Sequence, residues 1–453
     1  MRSLHRLSTS GIGFLVLVAS AAGAVIAAPV LSAQNAAATA TTTGAGQVTF
    51  SKDVAPILQR SCQNCHRPGS IAPMSLLTYQ DTRPWIRSIR QKVSQRDMPP
   101  YYIDRNIGIQ KFKDDPSLTE TEIATILKWI DAGAPQGNPA DMPPAKTFDS
   151  VDKWHLGKPD LVVLSPKHTV AAVGADQWLD QYADSGLTED RYIKAVEVKP
   201  ADTASMRVLH HAHQYMVPAS ADVEDPFVAV NGDESLNEYS LGKNADVFPE
   251  GSGRLIKAGS KIRFNVHYHS NGEQVESQAA VALVFYPKGY VPKHVVHTDG
   301  VGTATTANLD IPGGASDVRQ DGYKHFDTPV KITAFQPHMH NRGKRECLEA
   351  LYPDGRTETL NCANFNFGWG IVYNYADDVA PILPAGSFLH VINWHDNSPG
   401  NRGNPEPRNW VGSGNRTIDE MAHSWVSWYA LTDTEYKQES DARRAKQNTT
   451  NNN

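Results

Sequence analysis

Between Ile262 and His269 apolar and polar residues alternate without a break: Ile262, Phe264, Val266 and Tyr268 against Arg263, Asn265, His267 and His269. An extended strand sorts such a run onto two faces, one packed on a core. His267 and His269 then share a face. The runs Val281 to Tyr286, Val330 to Phe335, Cys347 to Tyr352, Phe388 to Trp394 and Met421 to Leu431 also have strand character, and Gly, Pro, Asn and Asp separate them. Helical periodicity is nearly absent beyond residue 158. The pattern predicts two mostly antiparallel β-sandwich domains, 158–312 and 313–435, divided near the turn Asp310-Ile311-Pro312-Gly313-Gly314. The charged, Asn/Thr-rich tail, 436–453, has the composition of a disordered segment.

The chain before residue 158 is of another kind. Met1-Arg2-Ser3-Leu4-His5-Arg6 is a basic start, Gly11 to Ala28 an apolar stretch and Leu31-Ser32-Ala33 a small-residue cleavage signal, so 1–33 reads as a secretory signal peptide. Retained, the same stretch is a membrane anchor, which is the one membrane partner the sequence offers. An Ala/Thr/Gly-rich flexible linker follows at 34–47. Cys62-Gln63-Asn64-Cys65-His66 is the attachment pattern for a covalent c-type haem, with two thioethers and a histidine on the iron. A zinc reading needs a second pair of soft ligands nearby, and the next cysteine is Cys347.

The sixth iron ligand is expected from Met98, which follows a predicted helix from Thr82 to Ser94 and precedes Pro99 and Pro100. Met74 is the alternative, with core packing as its other role. Thr119 to Glu122 is a capping box, and Ile123, Ile126, Leu127 and Ile130 follow at helical spacing. Together these predict a small all-α cytochrome c domain over 48–139, with a Pro-rich linker at 140–157.

Histidines cluster in the β region: His210-His211-Ala212-His213, His267-Tyr268-His269 and His338-Met339-His340, with Met421 further on. Alternate strand residues lie about 7 Å apart on one face, so two such imidazoles can converge on a metal. Imidazoles with a thioether suit copper, because soft sulfur helps hold Cu(I). Adjacent strand residues face opposite ways, so His210 and His211 can share an ion only at a strand end or bulge. Cys347 and Cys362 flank Tyr352-Pro353-Asp354-Gly355-Arg356. A two-residue Asp354-Gly355 turn pairs residues that sum to 709, as 347 and 362 do, so a disulfide is expected between them.

With these motifs, the region from Lys158 to Leu431 resembles the copper type II, ascorbate-dependent monooxygenases, the family of peptidylglycine alpha-hydroxylating and dopamine beta-monooxygenases. The N-terminal segment resembles the cytochrome c domain fused to bacterial members. The resemblance implies two jelly-roll-like β domains, each holding one of two copper ions. His210, His211 and His267 match the electron-transfer copper ligands; His338, His340 and Met421 match those of the oxygen-activating copper. His213 and His269 lie outside that set, and His423, on Met421's face in a strand, has an outer, supporting role in this reading. Peptide-amidating relatives place an arginine where this chain has Gln336 and a tyrosine beyond the methionine, whereas Trp425 and Trp428 stand there here. An apolar or aromatic substrate is therefore expected.

The function expected is a periplasmic or secreted copper monooxygenase. It would hydroxylate an aliphatic C–H bond of a small-molecule substrate with O₂, its electrons passing from a periplasmic donor through its own haem. The alternative is a non-catalytic haem and copper electron carrier. A formal charge of -6, from 43 basic and 49 acidic residues, excludes the basic stripe that nucleic-acid binding requires.

Overall fold

The alternating run is the strand Lys261–Tyr268, and its neighbours are the strands that carry the histidines upstream. The computed structural model describes residues 46–451 apart from 69, 71, 149–152, 222–233, 240–244, 303–308 and 415. The signal peptide expected at 1–33, and all but the end of the linker at 34–47, lie outside the described residues.

Helices α1 (Ala55–Ser61), α2 (Ile86–Ser94) and α3 (Glu120–Asp131) enclose a core of Phe50, Leu58, Ile89, Ile126 and Trp129. The capping box of α3 forms as expected: Thr119 accepts from the Glu122 amide, and Glu122 accepts from the Thr119 amide. The helix ends at Gly133, whose φ of +84° a residue with a Cβ rarely adopts.

The first β region comprises β1 (Leu161–Leu164), β2 (Gln177–Asp184), β3 (Arg191–Pro200), β4 (Leu209–Val217), β5 (Glu234–Tyr239), β6 (Ser252–Ile256), β7 (Lys261–Tyr268) and β8 (Ala279–Phe285). One sheet runs β1-β8-β3-β6, the other β2-β7-β4-β5. Val196, Val281 and Leu283 from the first sheet meet Ala212, Ile262, Phe264 and Val266 from the second in one core. The opposite face of β7 is not solvated as half-burial predicts: Arg263 and His267 are buried too.

The second region comprises β9 (His297–Gly302), β10 (Val318–Phe326), β11 (Val330–His338), β12 (Gly343–Leu351), β13 (Thr357–Asn364), β14 (Tyr373–Asn374), β15 (Ser387–His395) and β16 (His423–Ala430). Its sheets are β9-β16-β11-β14 and β10-β15-β12-β13, packed through Phe335, Val426, Leu348, Leu389 and Val391. The protein is therefore mostly antiparallel β, with sandwich-like paired sheets and a short helical N-terminal region.

Three segments differ from the sequence expectation. The second sandwich starts before residue 313, because β9 pairs along β16; the Asp310–Gly314 passage is a loop bridged at Ile311 to Val411. Residues 101–113 leave the helical core and lie against the second sandwich, where Ile103 and Phe112 join its apolar cluster and Asp104 N–H donates to the Cys362 carbonyl at 2.8 Å. The tail expected to be disordered belongs to a helix, α4 (Asp433–Asn451). Its composition hid local support: Thr432 caps Glu435, Lys437 and Glu439 pair with Asp441 and Arg443, and Glu439 reaches Lys331 of β11. Among the described residues no helix is long and apolar enough to cross a membrane.

The Cys347–Cys362 disulfide is present, and the two residues are register partners on β12 and β13. The route to that register differs from the one expected. Tyr352 N–H donates to Arg356 O, so the loop has three residues and pairs next to it sum to 708, as Leu351 with Thr357 does. A bulge between Leu348 and Glu349 adds one residue on β13 and restores the cysteine register.

Candidate metal centre

The sheet β2-β7-β4-β5 of the first sandwich and the sheet β9-β16-β11-β14 of the second border one cavity of about 570 Å³. Trp178, His213, Tyr215 and Arg263 line it from the first, and His338, His340, Met421, His423 and Trp425 from the second.

On the first side the β4 register shifts between Leu209 and His211, so His210 is the extra residue of a bulge, the irregularity adjacent histidines need. The His210 side chain lies outside the described residues. His211 is the cross-strand partner of His267, with ring centroids 4.9 Å apart. Trp178 stacks on His267 at 4.4 Å with planes 2° apart and meets the His211 ring at 4.6 Å. Asp176 accepts from both His267 Nε2 at 3.0 Å and His269 Nδ1 at 2.7 Å. Its carboxyl is held below the usual range, as the two histidines outweigh the upward push of burial. His269 is exposed, which separates it from the buried pair. Neither Asp176 nor Trp178 was expected from the sequence, since both act through register.

On the second side His338 ends β11, and His340 lies in the turn that follows. Buried Glu420 fixes that turn: its carboxylate accepts from the His340 amide at 2.8 Å and the Arg342 amide at 2.7 Å. Arg342 is also buried, 3.8 Å from the same carboxylate. Burial pushes the Glu420 carboxyl up to about 7, against the pull of the Arg342 and His340 amides and the guanidinium. His340 Nδ1 donates to Asp419 O at 3.0 Å, which leaves Nε2 as its lone-pair nitrogen. Met421, expected within a strand, stands two residues before β16, and its carbonyl meets His395 Nε2 at 3.0 Å.

His423 is the direct cross-strand partner of His338, and their rings are 4.6 Å apart. The His338 and His340 rings are 5.7 Å apart. His213 stands between the two sides, 6.1 Å from His211 and 6.2 Å from His338. Its Nε2 is 3.7 Å from Glu238 Oε1. Burial first, and the other histidines second, hold His338 well below the ordinary imidazole range and His423 at about 3. These rings are neutral at neutral pH, the form that donates a lone pair to a metal.

Imidazole nitrogens bind first-row metals at about 2.0–2.1 Å, so two rings on one ion have centroids roughly 4.5–6.4 Å apart, depending on the angle between them. His211 with His267, and His338 with His340 and His423, fall inside that range. Among the described residues no three His, Cys, Asp or Glu donors are already gathered tightly enough to hold an ion, so closure on a metal requires the rings to turn. The donor types fit copper, with imidazoles on both sides and one thioether at Met421.

In the helical region α1 delivers Cys62 and Cys65 into a turn in which the His66 amide donates to Cys62 O at 2.9 Å. His66 Nδ1 faces Met74 O at 3.3 Å, which leaves Nε2 as the nitrogen that could hold a haem iron. Met98 borders a small cavity with Val93, Leu118 and Ile123 of the helical core. Burial, with Cys65 second, pushes the Cys62 thiol up to about 12. Lys146 of the following linker donates to Asn64 Oδ1 at 2.7 Å, tying it to the turn that carries the two cysteines.

The cavity lining is mixed in polarity. Trp425 is in it, but Trp428 is turned toward Asp299, to which its Nε1 donates at 2.6 Å. Asp180, Arg263, Asn265 and Asp299 share the lining with the aromatic rings.

No protein family and no curated protein matches the chain. Among solved structures it is similar to N-glycanase F (PNGase F), at 9% identity over 60% of this chain and 96% of that one, with a TM-score of 0.25. It is also similar to the VP2 subviral particle of infectious bursal disease virus, at 10% identity over 65% of this chain and 75% of that one, TM-score 0.18. A third is oxalate decarboxylase of Bacillus subtilis, at 9% identity over 65% and 81% of the two chains, TM-score 0.12. At such TM-scores the likenesses carry no argument about function.

Proposed function

We propose that the chain is an exported copper monooxygenase that hydroxylates an aliphatic C–H bond of a small substrate with O₂ and draws electrons through a covalent haem at Cys62, Cys65 and His66. The observation that carries this reading is the presence of two imidazole groups on the sheets that border one cavity: His211 with His267 behind Trp178, which lines it, and His338 and His340, which line it beside Met421. Copper held there supplies a one-electron redox centre on each side and an O₂-binding position on the thioether side. A carrier needs no open cavity of about 570 Å³ beside its metal ligands, which favours catalysis over the electron-transfer alternative.

The chain's own residues have distinct tasks in this scheme. Glu420 holds the His-x-His turn, Asp176 orients His267, and Trp178 shields the first pair from solvent. A substrate would rest its apolar part on Trp425 and Phe367, with Arg263 and Asn265 toward its polar end. The two sandwiches are read as jelly-roll-like and the helical region as a cytochrome c domain. Tyr239, whose phenol burial and the nearby Cys65 thiol both push up, is the cross-strand partner of Ala212. Ala212 separates His211 from His213, so the haem-attachment turn approaches the strand of the first histidine group. The disulfide accords with an oxidising compartment.

The test combines metal analysis with turnover. Loaded protein should hold two copper ions and one covalent haem, and consume O₂ in step with a hydroxylated product when offered small aromatic and aliphatic substrates. One copper per chain, or O₂ uptake without product, would overturn it.

A further inference from the structure

We infer that His423 is a copper ligand, so that the second site is a three-imidazole, one-thioether site formed by His338, His340, His423 and Met421. This rests on the copper reading above and adds a ligand that the family resemblance does not include. His423 is 2% exposed, and neither of its ring nitrogens has a hydrogen-bond partner in the protein or access to solvent. A buried donor or acceptor left unpaired is destabilising, so an imidazole with both nitrogens unpaired points to a ligand that offsets the loss.

The fold directs that ring at the site. Register places His423 opposite His338 on neighbouring strands, with side chains on one face and centroids 4.6 Å apart, close to the separation of two imidazoles at right angles on one ion. The ring also borders the cavity that Met421 and His340 line. β9 runs close beside this position: a Cβ on Gly302 would lie 2.3 Å from the Ala422 carbonyl oxygen and 2.7 Å from His423 Cα, so glycine there lets the two strands approach.

The experiment uses the full-length protein with copper as the only added ligand. Cu(I) affinity is measured by competition with a chelator, and the number of imidazoles per copper by X-ray absorption, for wild type, His423→Phe, His423→Asn and His338→Ala. His423→Phe keeps a ring and removes both unpaired nitrogens. If His423 only packs, that variant should fold at least as stably as wild type and bind copper unchanged. As a ligand, its loss should weaken the second site at least about tenfold, the lower bound for losing even an outer partner of a metal ligand. It should also remove one imidazole from that copper and leave the His211 and His267 site intact. His423→Asn, smaller and polar, should do the same if the Phe variant fails to fold. Wild-type affinity and imidazole count in either folded His423 variant, with copper lost in His338→Ala, would overturn the inference alone. Unchanged copper in His338→Ala as well would remove the copper reading with it.

Discussion

Replacing Glu420 by Gln tests what holds the His-x-His turn. The carboxylate accepts two buried amides, His340 at 2.8 Å and Arg342 at 2.7 Å, and lies 3.8 Å from the buried Arg342 guanidinium. Gln keeps one acceptor oxygen and brings an NH₂ group to the other amide. One buried N–H then loses its partner, at about 1–3 kcal/mol. Arg342 also loses its counter-charge, and breaking a buried pair from one side costs about 3–5 kcal/mol. The two losses come from one group and overlap, so about 3 kcal/mol is the lower figure, a factor of roughly 10² in local opening. Hydrogen exchange of a peptide spanning 336–345, followed at pH 8 where Glu420, raised to about 7, is mostly ionised, reads this directly. The His340 and Arg342 amides should exchange about a hundredfold faster in Glu420→Gln, whereas Asp419→Asn should change little, because Asp419 pairs with the exposed Arg416. Exchange within threefold of wild type in Glu420→Gln would show that the turn holds itself and that Glu420 is not its anchor.

Breaking the Cys347–Cys362 disulfide, 15 residues apart, by Cys→Ser at both positions should cost about 3 kcal/mol from loop-closure entropy, read as a lower urea midpoint. Cys62→Ser with Cys65→Ser should abolish haem that survives acid-acetone extraction; Met98→Ala should shift the haem spectrum and potential, while Met74→Ala should not. Reversal of those last two results would make Met74 the axial ligand. Glu435 at the start of α4 is held at about 2, because Lys293, the Thr432 amide and His294 outweigh its burial. Its folded value is depressed, so its support for helix docking is full above the ordinary value near 4.5 and is lost as pH falls toward 2. Exchange protection of 433–451 should decline across that window and stay flat from pH 5 to 7; a helix equally protected at pH 2.5 would contradict it.

The strands were legible because alternation is a local property: Val330 to Phe335 and Phe388 to Trp394 fall inside β11 and β15. So were the capping box of α3 and the clustering of histidines. The partner of His338 was not, because it depends on pairing residues 85 apart across a strand with a bulge between Ile332 and Ala334. One residue of slip there turns His423 to the other face. Asp176 and Trp178 escaped notice for the same reason, since nothing near them in sequence announces a histidine. The α4 tail misled through composition, as its charges pair along the helix and Glu439 reaches Lys331 of β11. The cysteine pairing came out right because an extra loop residue and an extra bulge residue cancel.

The segment 101–113 has a practical consequence for how this protein can be handled. β13 is the outermost strand of its sheet, and Asp104 and Ile109 donate to the carbonyls of Cys362 and Leu360 while Asn364 donates back to Tyr102. An outer strand without such cover is a template for another chain to add onto, and aggregation follows. A fragment cut at residue 140 to isolate the β region would strip that cover from a strand whose Leu360 and Ala363 are otherwise sealed. Such a fragment should self-associate through β13, whereas one that begins before residue 101 keeps its edge closed.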